Sequence, residues 1–323
     1  MAQRVFPRVV VCSVLAAAWV AASPVAGASS IQTIEPGKLK VCLYAGFAPF
    51  ASKDVDGHWQ GWDVTYLMEF AQENHLDFQI IEENFDNIWQ LPGKDNPVCD
   101  IAGTGISNTT ERRGTSPGVT WSDTYYGVVR TFLVRTEQFA NLTKAADLHG
   151  KIVIVTKGST ANTDICYRLA AEGVHVCERP HDQPCNFPGK KPKITSWASD
   201  PQCVTIEYPF DNEEKNAATA VAHSSDYSTF AYGGGYGSVQ ALVCDWSETQ
   251  ALATVWPHCN MSADGRAYAE PFSFVARTAD KGLSDALNCF IYNHKYPGTP
   301  IPDLGCEAPK DTHAPGPQSC KSK

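Results

Sequence analysis

Apolar residues in this chain come in short runs, cut by glycine, proline and polar clusters. The run Leu39-Lys40-Val41-Cys42-Leu43-Tyr44 predicts a first strand, entered through the turn Glu35-Pro36-Gly37. From Gly61-Trp62-Asp63-Val64 the period changes. Tyr66, Leu67, Phe70 and Ala71 recur at helical spacing and predict a helix with one face on a sheet. Leu76 to Glu82 predicts a second strand, Asn84-Phe85-Asp86-Asn87-Ile88-Trp89 a second helix start, and Asp100-Ile101-Ala102 a third, small strand. Strand, helix, strand, helix, strand is the pattern of a parallel sheet with helices outside it. Ligands of such sheets lie beyond the carboxyl ends of the strands. The loops Gly46–Phe50 and Gly103–Arg112 both follow strands and are expected to converge on one crevice.

The extended run from Tyr125 to Arg135 could carry the backbone into a second domain. There, Ile152 to Val155 reads as a strand buried on both faces, followed by Thr156-Lys157-Gly158-Ser159-Thr160 and a helix to Ala171. A strand at Val204–Tyr208, a helix at Asn212–Ala222 and a strand at Val239–Cys244 ending in Asp245 come next. Pro271 to Arg277 is a strand that could recross, and Leu283, Leu287 and Phe290 mark a last helix face. The Pro-, Lys- and Ser-rich tail from Pro309 is expected to fray.

The stretch from Cys99 to Tyr126 concentrates candidate binding chemistry. Gly103 and Gly105 let the backbone turn and approach a guest closely. Asn108, with Glu111 three places on, resembles a capping box and predicts a helix start. Free N–H groups there suit an anion. Arg112 follows, and a guanidinium grips a carboxylate with two parallel hydrogen bonds, which lysine cannot do. A surface helix with two solvated arginines, Arg112 and Arg113, is the plain alternative. Ser159 and Thr160 sit between a strand and a helix and could meet an anion from the opposite side. The glycine spacing of a nucleotide loop is absent. Asp245 could receive an ammonium group, or cap the segment that follows. Tyr44, Phe47 and Phe50 could wall a pocket, or pack their loop onto the core.

Composition narrows the class. The chain has 323 residues, 43% hydrophobic and 19% charged, enough for one large or two smaller domains and against global disorder. Net charge is −9 without a basic run or basic–aromatic stripe, so no nucleic-acid partner is expected. Arg4, Arg8, the apolar run Val9–Ala22 and Ala26-Gly27-Ala28 read as a signal peptide over residues 1–28. That run is short of the roughly 20 residues that span a bilayer. Twelve cysteines, eleven without Cys12, read as disulfides of an exported protein with one thiol left over. Connectivity stays open. Cys42 and Cys99 sit on candidate neighbouring strands, Cys177, Cys185 and Cys203 bracket an insert, and Cys289 and Cys306 bracket the last helix. His181 near Cys185 and His258 before Cys259 lack a second pair at ligand spacing, so neither a metal nor a cofactor is expected.

Taken together, Gly37-Lys38-Leu39-Lys40-Val41, Ala48-Pro49-Phe50, Gly61-Trp62-Asp63-Val64, Gly105-Ile106-Ser107-Asn108-Thr109-Thr110-Glu111-Arg112, Trp121-Ser122-Asp123-Thr124-Tyr125-Tyr126, Leu148-His149-Gly150-Lys151, Gly158-Ser159-Thr160 and Ala241-Leu242-Val243-Cys244-Asp245 resemble, in content and order, the family 3 extracellular solute-binding proteins. These are periplasmic amino-acid receptors of ABC importers. The resemblance runs from Glu35 to Tyr296. It implies an α/β, two-lobed type II periplasmic-binding-protein fold, each lobe a mainly parallel sheet flanked by helices, with a two-strand hinge. Lobe 1 would comprise residues 29–127 and 278–323, and lobe 2 residues 128–277 with a cysteine-rich insert at 177–203.

The resemblance also implies roles. Arg112 would bind the ligand α-carboxylate, helped by Ser107 and the backbone near Gly105. Ser159 and Thr160 would grip it from the other lobe, and Asp245 would take the α-ammonium. Phe50, with Tyr44 or Phe85, would cover the ligand side chain. The implied protein is a periplasmic or secreted monomer without enzymatic activity. It captures an amino acid or similar small carboxylate by hinge closure and delivers it to an ABC transporter permease. Two rivals share the scaffold. One is a cyclohexadienyl-dehydratase-like enzyme, with Glu83, Glu207 and Asp245 as candidate acids. The other is a ligand-free accessory protein of a periplasmic dehydrogenase. No Gly-x-Ser-x-Gly or His-Glu-x-x-His signature favours the enzyme.

Overall fold

The computed structural model describes residues 31–135, 142–156, 159–178, 185–186, 189–196, 198–207, 229–232, 252–294, 304–307 and 320. The expected leader, the helix at 212–222, the strand at 239–244 with Asp245, and all of the tail except Cys320 lie outside the described residues.

The first strand forms as β1 (Lys38–Leu43). α1 (Trp62–Glu73) turns Val64, Tyr66, Leu67, Phe70 and Ala71 inward, as their spacing requires. β2 (Asp77–Glu82) pairs parallel with β1. The expected second helix is only a 3₁₀ segment, Ile88–Gly93. Asn87 enters it left-handed at φ 64°, and Pro92 inside it lacks the N–H that an α-helix would need. β3 (Ile101–Ala102) lies parallel to β1 on its other side, and α2 (Thr110–Gly114) and β4 (Val119–Trp121) follow.

β5 (Tyr126–Val128) and β6 (Arg130–Arg135) then carry the chain into a second sheet. That sheet is completed by β7 (Ile152–Ile154), β8 (Thr205–Glu207), β9 (Thr229–Tyr232) and β10 (Leu252–His258), with α3 (Thr160–Ala171) packed beside it. β11 (Glu270–Phe272) returns antiparallel to β5, with Glu270 opposite Val128. β12 (Val275–Arg277) re-enters the first sheet, and α4 (Lys281–Asn293) buries Leu283, Leu287 and Phe290. The strand orders are β2-β1-β3-β12-β4 and β8-β7-β9-β6-β10. In each, three strands run parallel and the crossing strand joins antiparallel. The α/β reading holds, with mixed sheets. Each sheet has its own apolar cluster. Leu39, Leu67, Phe70, Phe274 and Leu287 belong to the first, and Phe132, Val153, Ile165, Leu169 and Val204 to the second.

Five disulfides close within the described residues: Cys42–Cys99, Cys166–Cys185, Cys177–Cys203, Cys259–Cys306 and Cys289–Cys320. The first staples β1 to the segment leading into β3, the second fastens the insert to α3, and the third joins the two ends of the insert. Both cysteines weighed as metal neighbours, Cys185 and Cys259, are used in these bridges.

His258, at the end of β10, is buried beside Arg168, Asp164 and Trp256. Its Nδ1 donates to the Trp256 carbonyl at 2.5 Å. Burial, with the Arg168 charge adding to it, lowers its pKa to about 4. An unfolded imidazole titrates near 6.5. Above that pH both states are neutral and His258 costs nothing. Below it the unfolded chain takes the proton first, so stability falls between about pH 6.5 and 4, by roughly 3 kcal/mol in all. Thermal melts from pH 7 to pH 4.5 should show this loss, and His258→Gln should flatten the part that the imidazole contributes.

Candidate functional site

The crevice is built at the strand ends. After β3 the chain turns through Thr104 at φ 80° and Gly105 at φ 54°, both left-handed. One buried carboxylate holds this turn. Asp63 Oδ2, in the first turn of α1, accepts the N–H groups of Thr104 (3.0 Å) and Gly105 (2.7 Å) and the Tyr125 hydroxyl (2.9 Å). Thr104 Oγ1 accepts the Tyr44 N–H at 2.9 Å, which ties the loop after β1 to the loop after β3. The next residues dock on the crossing strand. Asn108 N–H donates to the Pro271 carbonyl at 2.8 Å, and Ser273 N–H donates to that of Ile106 at 3.0 Å.

The helix cap sits one residue later than expected. Thr109, not Asn108, caps α2, its hydroxyl accepting the Arg112 N–H at 3.2 Å. In this register Arg112 points inward, 6% exposed, while Arg113 is half-buried. The Arg112 guanidinium lies 4.2 Å from the centroid of Trp89 and 5.5 Å from that of Phe85. Its Nη1 donates to the Ser107 carbonyl at 3.2 Å. Burial lowers its pKa to about 10, the nearby Glu270 opposing this and Arg130 adding to it.

The opposite wall is the N-terminus of α3. Ser159 caps it, accepting the Asn162 N–H and donating its own proton to the Thr156 carbonyl at 2.6 Å. Thr160 joins a network that the sequence reading missed. Arg130 on β6 and Glu270 on β11 form an ion pair at 3.1 Å, at 0% and 1% exposure. Arg130 Nη2 donates to Thr160 Oγ1 at 2.6 Å, and Thr160 donates to Glu270 Oε1 at 2.7 Å. Ser107 Oγ stands 3.2 Å from Thr160 Oγ1. Since the single Thr160 proton goes to Glu270, Ser107 is the donor in that contact. The two halves therefore touch across a closed cleft.

Tyr44, Phe85, Gly105, Ser107, Ser159 and Thr160 line this cleft together, with Thr156, Phe47 and Phe272. Arg112 lies directly behind, against Phe85 and Ser107. Two expectations need correction. Phe50 is fully buried behind Phe47, stacked on it at 5.1 Å, so Phe47 presents the ring to the cleft. The Phe50 N–H donates to the Phe47 carbonyl at 2.9 Å, and this tight turn sends one ring to the cleft and the other to the core. The side chains of Ser159 and Thr160 have already given their protons to protein acceptors, which leaves the backbone of the helix terminus as the donor on that wall. Asp245 lies outside the described residues. Arg130 and Glu270 did leave a trace in the sequence: each is a charge interrupting a strongly apolar crossing segment, where a buried charge requires a partner.

The lack of a side chain at Gly105 matters sterically. A Cβ there would lie 2.4 Å from Phe47 Cε1 and 2.9 Å from Phe272 Cε2, on a left-handed backbone. Phe47 is stacked on Phe50, so moving it aside disturbs that contact. Gly105→Ala should cost about 1–3 kcal/mol, as overpacking does. Urea unfolding of the variant checks the figure.

The fold has many solved counterparts. An ancestral arginine-binding protein bound to arginine aligns at TM-score 0.57 with 19% identity, covering 80% of this chain and 92% of that one. An ancestral amino-acid-binding protein described as a precursor of cyclohexadienyl dehydratase aligns at TM-score 0.56 with 20% identity, covering 80% and 89%. These likenesses establish the type II periplasmic-binding-protein fold. An L-arginine-binding protein of Pseudomonas aeruginosa is 27% identical over 159 residues, 49% of this chain and 59% of that protein. The chain thus spans about half the length of the curated relatives it matches. Residues 39–299 match the family model, and this chain belongs to the bacterial extracellular solute-binding proteins, family 3.

Proposed function

We propose that this protein captures an α-amino acid in the closed cleft, in the periplasm after leader cleavage, and hands it as a monomer to an ABC permease. The observation that carries the reading is the charge balance at the cleft. Two buried guanidinium groups stand on either side of it, Arg112 against Phe85 and Ser107 and Arg130 on Thr160 of the opposite wall, which favours an incoming carboxylate. Arg112 is the group assigned to that carboxylate, with the N–H groups at the start of α3 facing it from the other wall. Asp245 remains the candidate for the ammonium. Lobes at residues 29–127 with 278–323, and at 128–277, would close about β5 and β11.

An amino-acid-binding role agrees with the name of the Pseudomonas relative and with the titles of the structural counterparts. The dehydratase alternative needs a free acid in the cleft. Among the described lining residues are rings, glycine and hydroxyls, and the neighbouring Glu270 is held by Arg130 and Thr160. Thermal-shift and calorimetric titration with the twenty amino acids should give at least one saturable ligand. Incubation with prephenate or arogenate should give no product. Turnover of either compound would replace this reading with the enzyme.

A further inference from the structure

We propose that Trp89 is a positioning residue for carboxylate capture, its ring face holding the Arg112 guanidinium in the pose that meets the amino acid. This rests on the amino-acid reading above. Trp89 is buried in the 3₁₀ segment Ile88–Gly93 and is not among the described residues that line the cleft. The Arg112 guanidinium lies over its ring at 4.2 Å from the centroid, closer than the 5.5 Å to Phe85. The two rings meet edge-on at 6.2 Å, and Phe85 carries the contact forward to the lining. Backbone contact fixes the pairing. A Cβ on Gly93, at the end of the 3₁₀ segment, would lie 2.5 Å from the Pro117 carbonyl oxygen, and one on Gly118 would lie 2.7 Å from that of Gly93. The segment that carries the ring and the chain leaving α2 are thus pressed together just past Trp89 and Arg112.

The chemistry of the indole argues for holding rather than filling. Trp89 Nε1–H is buried with no acceptor among the described residues. An indole used only as apolar filling would bury that donor at a cost that phenylalanine avoids. What the indole adds is the strongest ring face for a cation, and the attraction grows where water is excluded. A guanidinium over a ring face also keeps the N–H groups of its plane for oxygen acceptors. Arg112 Nη1 donates to the carbonyl of Ser107, a lining residue. An arginine stacked before the amino acid arrives has little rotamer freedom left to lose on binding.

Calorimetry at pH 7 on the purified full-length chain, with the tightest binder among the twenty L-amino acids as probe, separates this from plain packing. Trp89→Phe keeps a ring face, whereas Trp89→Met fills the space with a flexible apolar chain and has none. Trp89→Met should bind about tenfold more weakly than the wild type, and Trp89→Phe within about threefold of it. Variants that differ by less than about threefold overturn the assignment, since packing alone would treat them alike. Tryptophan emission gives a second reading that needs only the conservative variant. The difference spectrum of wild type minus Trp89→Phe reports the indole, and saturation with the same amino acid should shift it, because the carboxylate then neutralises the cation on its face. An unmoved difference spectrum overturns the positioning role while the amino-acid reading stands. Binding of none of the twenty overturns that reading as well.

Discussion

Replacing Glu270 by alanine is expected to lower the free energy of unfolding by roughly 3–5 kcal/mol, the scale for stranding a buried charge. Arg130 is fully buried, and its Nη2 reaches both Glu270 oxygens and Thr160. Without the carboxylate, the guanidinium keeps its desolvation cost and loses its counter-charge, and Thr160 loses its acceptor. Urea titration followed by tryptophan fluorescence measures the change. A loss below about 1 kcal/mol would place this pair among weak surface-type bridges and defeat the account. The double variant Arg130→Met, Glu270→Leu should recover much of the stability, because removing both charges also removes the desolvation cost. It should not recover ligand affinity, since Thr160 would no longer be held against Ser107.

Arg112→Ala is expected to remove roughly 3–5 kcal/mol of ligand binding, on the order of a hundred- to thousandfold in Kd. The ligand carboxylate would be enclosed without its cation. Arg112→Lys should rescue only part of this, because an ammonium offers a point charge where the guanidinium offers a planar fork. Circular dichroism separates this from misfolding. The backbone carbonyl of Arg112 still receives the Ser116 hydroxyl, so the α2 turn has support that does not depend on the side chain. Unchanged affinity in Arg112→Ala, measured with the tightest ligand of the panel, would end the assignment.

The repeating elements were legible in the sequence because one force set each of them. β1 and α1 fell within a residue or two of their expected bounds, since a short apolar run and helical spacing each report burial directly. The 3₁₀ segment at Ile88–Gly93 was misread as a helix start. Its apolar residues fit either form, and the choice was made by Asn87 and Pro92. Phe47 and Phe50 could not be sorted by pattern, because a tight turn and the packing of Phe272 decide which ring faces the cleft. Arg112 was legible as a chemical type in a glycine-rich setting. The Arg130–Glu270 pair was not, since its members lie 140 positions apart and meet only where two crossing strands run side by side.

The bridge between Cys42 and Cys99 has a bearing on how binding data are read. Cys42 stands two positions before Tyr44, and Cys99 six before Gly105, so one covalent link sets the spacing from which both aromatic and glycine edges of the cleft are hung. Protein made in a reducing cytosol would fold with those edges joined by hydrogen bonds and packing, without the covalent link. Two preparations of identical sequence could then report different affinities, and the discrepancy would record the oxidation history of the sample.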